Sequence, residues 1–191
     1  MQAISSLQQA LMTIVTTPGT ALLLLVLLAA AVIDARSYRI PNALTVPGMV
    51  LGLVVGAVGG PTVTGGLLNA LAGLGVALLC LMPLHALRTI GAGDVKLMAV
   101  VGAFLGIPDV LPAMFFVVVA GGVMATAFVL YHRVAGRMAA NVALMLRSLA
   151  LAAWTRTPVA APAMVSSGRL PYALCILAGT TLFLVVRQVG I

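Results

Sequence analysis

Long apolar segments constrain this chain more than any other feature of its sequence. Of its 191 residues 63% are hydrophobic and 7% are charged, whereas a soluble domain carries about 25% charged residues. The sequence therefore predicts an all-α protein that crosses the membrane several times. A membrane-spanning helix needs about 20 apolar residues, and charges and Gly/Pro clusters divide the chain into six candidate spans: 18–34, 43–59, 66–87, 95–107, 111–131 and 170–187.

A further apolar segment, 138–155, carries Arg147 near its middle. An arginine at the centre of the bilayer costs at least about 2.5 kcal/mol. A helix lying in the membrane interface would instead place Arg137, Asn141 and Ser148 on one polar stripe. We expect an interfacial helix on the cytoplasmic side, with a seventh span as the alternative.

The basic residues are distributed unevenly between the two sides of the predicted membrane protein. Arg36 and Arg39 follow the first span, Arg88 and Lys96 flank the start of the fourth, and five arginines lie between the fifth and sixth. If these segments are cytoplasmic, nine of the ten basic residues lie inside, as the positive-inside rule requires. The sequence thus predicts a bacterial inner-membrane protein whose two termini are extracytoplasmic.

The net charge of +7 is explained by this topology. Lys and Arg on the cytoplasmic side face anionic lipid headgroups. The basic residues form no runs and only 5% of the chain is aromatic, so we expect membrane lipids as partners and no nucleic acid. The sequence does not predict an oligomeric state.

The chain has only three acidic residues, Asp34, Asp94 and Asp109. Two predicted crossings separate Asp34 from Asp94, so both carboxylates are expected at the cytoplasmic face. Asp109 follows one crossing later and is expected at the opposite face. We interpret it as a solvated loop residue or as a cap for a helix starting near Pro112.

The fourth predicted span is too short to cross a bilayer. Its 13 residues, 95–107, rise about 20 Å against a hydrocarbon core of about 30 Å. Gly91 and Gly93 provide backbone freedom before it, so the loop is expected to dip into the membrane and lower Asp94 into a protein-lined cavity. An ionisable residue at that depth indicates a functional site.

Two carboxylates that meet at low dielectric cannot both ionise easily. One then keeps a proton and polarises a carbonyl group, while the other draws a proton from a bound water molecule. This chemistry predicts peptide hydrolysis with no metal, no cofactor and no covalent intermediate. His85 and His132 are the only imidazoles, and the sequence has no HExxH or GxSxG motif. Cys80 and Cys175 are interpreted as buried hydrophobic residues.

Two motifs resemble those of the type IV prepilin leader peptidases, which are GxGD intramembrane aspartyl proteases. They are DARSYRIPN at 34–42 and GAGDVKL at 91–97. The resemblance covers residues 20–107, and Pro171-Tyr172-Ala173 is also similar to the short family members. It implies cleavage of a prepilin or pseudopilin on the cytoplasmic side, after the glycine that precedes the hydrophobic segment. It also implies that Asp34 and Asp94 are the catalytic dyad.

The sequence departs from the long family members because it has no amino-terminal extension with paired CxxC motifs. We therefore expect a single peptidase domain over 1–191 and no methylation of the mature pilin. This short architecture resembles the peptidases of Tad/Flp pilus systems. The absence of a Pro-Ala-Leu motif argues against the presenilin-type proteases.

The remaining motif residues are predicted to support the site. Arg36, Arg39 and Lys96 are either topology anchors or contacts to the polar leader of the substrate. Pro41 and Asn42 are expected to turn the chain and cap the second helix. His85 is interpreted as a hydrogen-bonded interface residue. Close helix packing is expected at six glycines: Gly48, Gly52, Gly56, Gly66, Gly73 and Gly75.

Two functions from other classes stay open at this point. A small ion-coupled transporter could use Asp34 and Asp94 as a proton relay. That function predicts inverted repeats with matched broken helices, whereas only the fourth span is short. A catalytically silent scaffold for pilus assembly would not need the two aspartates.

Overall fold

All helices described below come from a computed structural model that describes residues 17–87, 90–131 and 171–189, together with residues 136, 140, 143, 144 and 147. This part of the chain contains six helices, and all except α4 are long and apolar enough to cross a membrane. The predicted all-α multi-pass fold is therefore confirmed. The helices are α1 (Pro18–Ser37), α2 (Asn42–Gly59), α3 (Val63–Ala86), α4 (Ala92–Leu105), α5 (Ile107–Tyr131) and α6 (Tyr172–Val189).

The chain divides into two compact units, residues 1–122 with 171–191 and residues 123–170. The first unit contains α1 to α4, α6 and α5 as far as Gly122. In the second unit, residues 123–131 are helical. The predicted interfacial helix over 138–155 falls, apart from isolated residues, outside the described residues.

Helix α4 is short for a membrane-spanning helix, and it is surrounded by other helices of the protein. Its 14 residues rise about 21 Å, and it packs against α1, α2, α3 and α6. Val95 and the run 97–103 are buried, so no lipid-facing surface has to match the bilayer thickness. The helix begins at Ala92, with Gly91 as its extended N-cap residue. Asp94 therefore lies in the first helical turn of α4. The expected dip of the preceding loop into the membrane stays a prediction.

Glycines allow the helix backbones around α4 to approach closely. A Cβ atom on Gly73 of α3 would overlap the Gly102 carbonyl oxygen of α4, and one on Gly52 of α2 would lie 2.8 Å from the Ala103 Cβ. Gly48, Gly56 and Gly66 also meet neighbouring atoms. A Cβ on Gly75 would meet nothing within 4 Å, so the packing interpretation is wrong for that position.

Helix α5 follows α4 after a single residue. Gly106 adopts a positive φ of 74°, which a residue with a Cβ atom rarely adopts. The side-chain Oδ1 of Asn69 accepts a hydrogen bond from the Ile107 N–H at 3.2 Å. This cap lets α5 start at Ile107, although the sequence indicated a start near Pro112, which the structure places inside the helix.

Asp109 is therefore a residue of the first helical turn of α5. Its Oδ2 lies 2.8 Å from Arg187 Nη1 of α6, and its side chain is 18% exposed. The interpretation of Asp109 as a solvated loop residue is wrong, because the carboxylate forms an ion pair. Cys175 is buried as expected, whereas Cys80 is exposed on α3, which corrects the expectation for that residue.

Candidate active site

Asp34 and Asp94 line the same cavity, of about 320 Å³. Asp34 comes from the last turn of α1 and Asp94 from the first turn of α4. The even number of crossings between them thus brings both carboxylates to one end of the bundle, where they interact electrostatically. The other residues around the cavity come from the two segments that adjoin these helix ends: Tyr38, Arg39, Ile40, Gly91, Ala92 and Gly93.

The start of α6 binds the Asp34 carboxylate. Asp34 is only 6% exposed, and its Oδ2 accepts a hydrogen bond from the backbone N–H of Ala173 at 3.1 Å. Ala173 is the second residue of α6, so its N–H is one of the donors that an α-helix leaves free at its start. The positive end of the helix dipole further favours a negative charge on Asp34.

Sequence reasoning did not assign a role to Ala173. The residues around it entered only through the family resemblance. A signal was nevertheless present, because Pro171 marks a helix start and the count of crossings places that start on the same side as Asp34. The backbone contact itself joins residues 139 positions apart, and no local pattern encodes it.

Asp94 has a different environment. It is partly buried, and a Cβ atom on Gly91 would lie 3.0 Å from its Oδ2. Gly91 therefore leaves the space into which the Asp94 carboxylate projects. Asp94 also lines a second, smaller pocket whose other walls are almost entirely apolar. Gly93 faces Ile40, whose Cβ would lie 3.1 Å from a Cβ at that position.

A tight turn after α1 directs the chain along the cavity. Tyr38 adopts the left-handed conformation with φ 52°, and its N–H donates to the Asp34 carbonyl oxygen at 2.8 Å. The Ser37 hydroxyl donates to the Ile33 carbonyl oxygen at 2.8 Å. Sequence reasoning missed Tyr38, because a tyrosine carries no local signal for a positive φ.

The predicted supporting residues have unequal positions. Arg39 lines the cavity, whereas Arg36 is exposed on α1 and is not part of the cavity lining. Lys96 Nζ donates a hydrogen bond to Asn42 Oδ1 at 2.8 Å, which connects α4 to the start of α2. Pro41 is the N-cap residue of α2, but the Asn42 side chain makes no cap. The expected capping role of Asn42 is therefore wrong.

His85 lies near the end of α3 and has a structural contact. Its Nδ1 donates to the Ile90 carbonyl oxygen at 2.9 Å, which holds the segment before Gly91. This agrees with the interpretation of His85 as a hydrogen-bonded residue. Within the described ranges, no three His, Cys, Asp or Glu side chains are grouped as metal ligands would be.

Comparison with known proteins adds one finding to this geometry. Residues 21–126, more than half of the chain, match the type IV leader peptidase family. The matched region contains both cavity-lining aspartates and all of α2, α3 and α4. No curated protein and no solved structure matched the chain.

Proposed function

Since the chain belongs to the type IV leader peptidase family, we propose that it cleaves prepilins with Asp34 and Asp94 as its catalytic dyad. Membership of this family implies an aspartic prepilin peptidase, and five candidate spans make the chain a multi-pass membrane protein. One observation carries the assignment of the dyad. Two aspartates that are 60 positions apart in the sequence line one cavity, although the whole chain has only three acidic residues.

The surroundings of the two carboxylates support different roles for them. Asp34 accepts a backbone N–H at a helix start, and such a hydrogen bond favours a carboxylate over a neutral acid. Asp94 faces an apolar pocket on one side, where a neutral acid is less costly than a charge. Asp34 is then the ionised base, and Asp94 is the protonated acid.

Hydrolysis proceeds through a water molecule between the two carboxyl groups. The water oxygen attacks the scissile carbonyl carbon while Asp34 takes a proton from the water. Asp94 donates its own proton to the carbonyl oxygen. The resulting tetrahedral intermediate collapses when its C–N bond breaks. Asp94 regains the proton of one hydroxyl, and Asp34 passes its proton to the leaving amine. Each carboxyl group returns to its starting state.

We further propose that the chain processes prepilins of the Tad/Flp type in the bacterial inner membrane. The cavity opens at the end of the bundle that holds Arg39 and Lys96, which the positive-inside rule places in the cytoplasm. The same rule places both termini outside. Arg39 is the cation best positioned to contact the polar leader of the substrate, because it lines the cavity.

Co-expression of the chain with a prepilin tests this function through the size of the pilin on a gel. Asp34→Asn and Asp94→Asn are each expected to lower the cleavage rate by about 10³-fold, since general acid–base catalysis contributes 10²–10⁴-fold. Asp109→Asn is the matched control, because it changes the third aspartate in the same way and lies outside the dyad cavity. Cleavage that survives either dyad substitution would refute the assignment.

A further inference from the structure

A small apolar pocket adjoins the proposed catalytic centre. Its volume is about 60 Å³, and among the described residues Asp94 is the only charged one that lines it. One water molecule needs roughly 10–15 Å³ of such space, so the pocket is large enough for part of a side chain. We call it the Asp94 pocket, and the residues used below are Leu84, Asp94, Met98, Val118, Tyr172 and Ile176.

The Asp94 pocket has a rigid floor and an accessible rim. Met98 of α4 and Ile176 of α6 are each 1% exposed, so the floor is part of the protein core. Leu84 of α3 is 39% exposed and Val118 of α5 is 62% exposed, so the rim is open from outside the bundle. A ligand can therefore enter without movement of the core.

The position of Asp94 decides what the ligand is. Asp94 lines both this pocket and the cavity that it shares with Asp34, so the two spaces meet at one carboxyl group. The scissile bond joins the carbonyl carbon of one residue to the amide nitrogen of the next. Each of these two atoms is bonded to the Cα of its own residue, at about 1.5 Å. A peptide whose carbonyl group reaches the dyad therefore brings the residues on either side of the scissile bond close to Asp94.

We propose that the Asp94 pocket receives the apolar side chain of a substrate residue that flanks the scissile bond. The inference rests on the proposed function, and it adds a determinant of specificity to it. Binding there removes apolar surface of the substrate from water or headgroups. It also covers Asp94 on its apolar side, so that the acid donates its proton only toward the cavity. Tyr172 closes the pocket next to Ala173, the donor to Asp34.

Substitutions at Val118 test the inference, because this rim residue is exposed and its replacement leaves the core intact. The full-length enzyme is given prepilins with Ala, Val, Leu or Phe at each of the two positions that flank the scissile bond. Val118→Phe narrows the pocket and is expected to lower the rate ratio of large to small side chains at one position by about tenfold. Val118→Ala widens the pocket and is expected to raise the same ratio.

The two Val118 variants are expected to change the rate ratio in opposite directions. General damage to the enzyme would instead lower the cleavage rates of all substrates together. Val119→Phe is the matched control, since Val119 is the next residue of α5, is 43% exposed and does not line the pocket. It is expected to leave the ratios unchanged. If neither Val118 variant changes the ratios while cleavage still requires both aspartates, a lipid chain or no ligand occupies the pocket and the inference is wrong. Cleavage that does not require the aspartates would instead overturn the proposed function.

Discussion

The two ends of the first unit hold aspartates in opposite electrostatic settings. At one end, here the dyad end, α1 finishes, α4 starts and α6 starts, with Asp34, Asp94 and Ala173 as the defining residues. At the other, the ion-pair end, α1 starts, α4 finishes and α6 finishes, with Asn69, Gly106, Asp109 and Arg187 as the defining residues. Both ends contain a cavity, of about 320 and 640 Å³ respectively.

The partners of the carboxylates differ between these ends. Asp109 is neutralised by Arg187 at 2.8 Å, whereas among the described residues neither Asp34 nor Asp94 has a cation in ion-pair contact. A charged group in a membrane protein is costly unless it is paired. The charges at the ion-pair end therefore neutralise each other, which is typical of a structural contact between two helices. The dyad end keeps two carboxyl groups without such a partner among the described residues, as the proposed acid and base roles require.

The largest stability effect is expected where α3 meets α4 near the ion-pair end. Gly73→Val would force a side chain against the Gly102 carbonyl oxygen and the Gly106 backbone, and backbone atoms cannot move aside cheaply. We expect a loss of about 3 kcal/mol or more in the free energy of unfolding. Thermal unfolding of the detergent-solubilised protein measures this loss.

Gly75→Val is the matched control for this substitution. It makes the same change two residues further along α3, where a Cβ would meet nothing within 4 Å. Helix propensity alone favours Val over Gly by about 0.3 kcal/mol, so no loss in the free energy of unfolding is expected. If the two variants have the same free energy of unfolding, the close contact between the α3 and α4 backbones at Gly73 does not stabilise the bundle.

Most of the fold could be predicted from the sequence, because a segment that crosses a lipid bilayer has to be a long apolar helix. Apolar length, with the charges and Gly/Pro clusters that interrupt it, located the six helices in the described part of the chain, and the starts of α1 and α2 were predicted to within one residue of the observed Pro18 and Asn42. The errors lie where tertiary contacts override the local pattern. Helix α5 starts before its internal Pro112 because Asn69, 38 positions away, caps Ile107. No local signal predicts such a cap.

The site was predictable only in part. The count of crossings brings Asp34 and Asp94 to one end without any knowledge of side-chain contacts. The hydrogen bond from Ala173 to Asp34 and the left-handed backbone of Tyr38 were not predicted. The hydrogen bond joins two helices that are far apart in the sequence, and the turn at Tyr38 is local but uses a residue type that carries no signal for a positive φ.

A moderate stability effect and no catalytic effect are expected from the ion pair itself. Arg187→Gln removes the cation from Asp109, and because the Arg187 side chain is 50% exposed the loss should not exceed about 1 kcal/mol. The cleavage rate is expected to stay within twofold of the wild type. A double-mutant cycle with Asp109→Asn isolates the pairwise energy. A large fall in cleavage with unchanged stability would mean that the ion-pair end takes part in the reaction.

The smallest effect is expected at the turn after α1, where the dyad end keeps a strained residue. Tyr38 adopts φ 52°, and a residue with a Cβ atom loses about 1–2 kcal/mol in that region. Tyr38→Gly should remove this strain but add freedom to the unfolded chain, for a net gain of about 0.5 kcal/mol in the free energy of unfolding. It should also lower cleavage about threefold, since the ring that lines the cavity is lost. Tyr38→Phe keeps both the ring and the strain, so its stability and cleavage rate should match the wild type. A glycine variant that is less stable than the wild type would mean that packing of the ring outweighs the backbone strain, and that this turn is built for stability as the ion-pair end is.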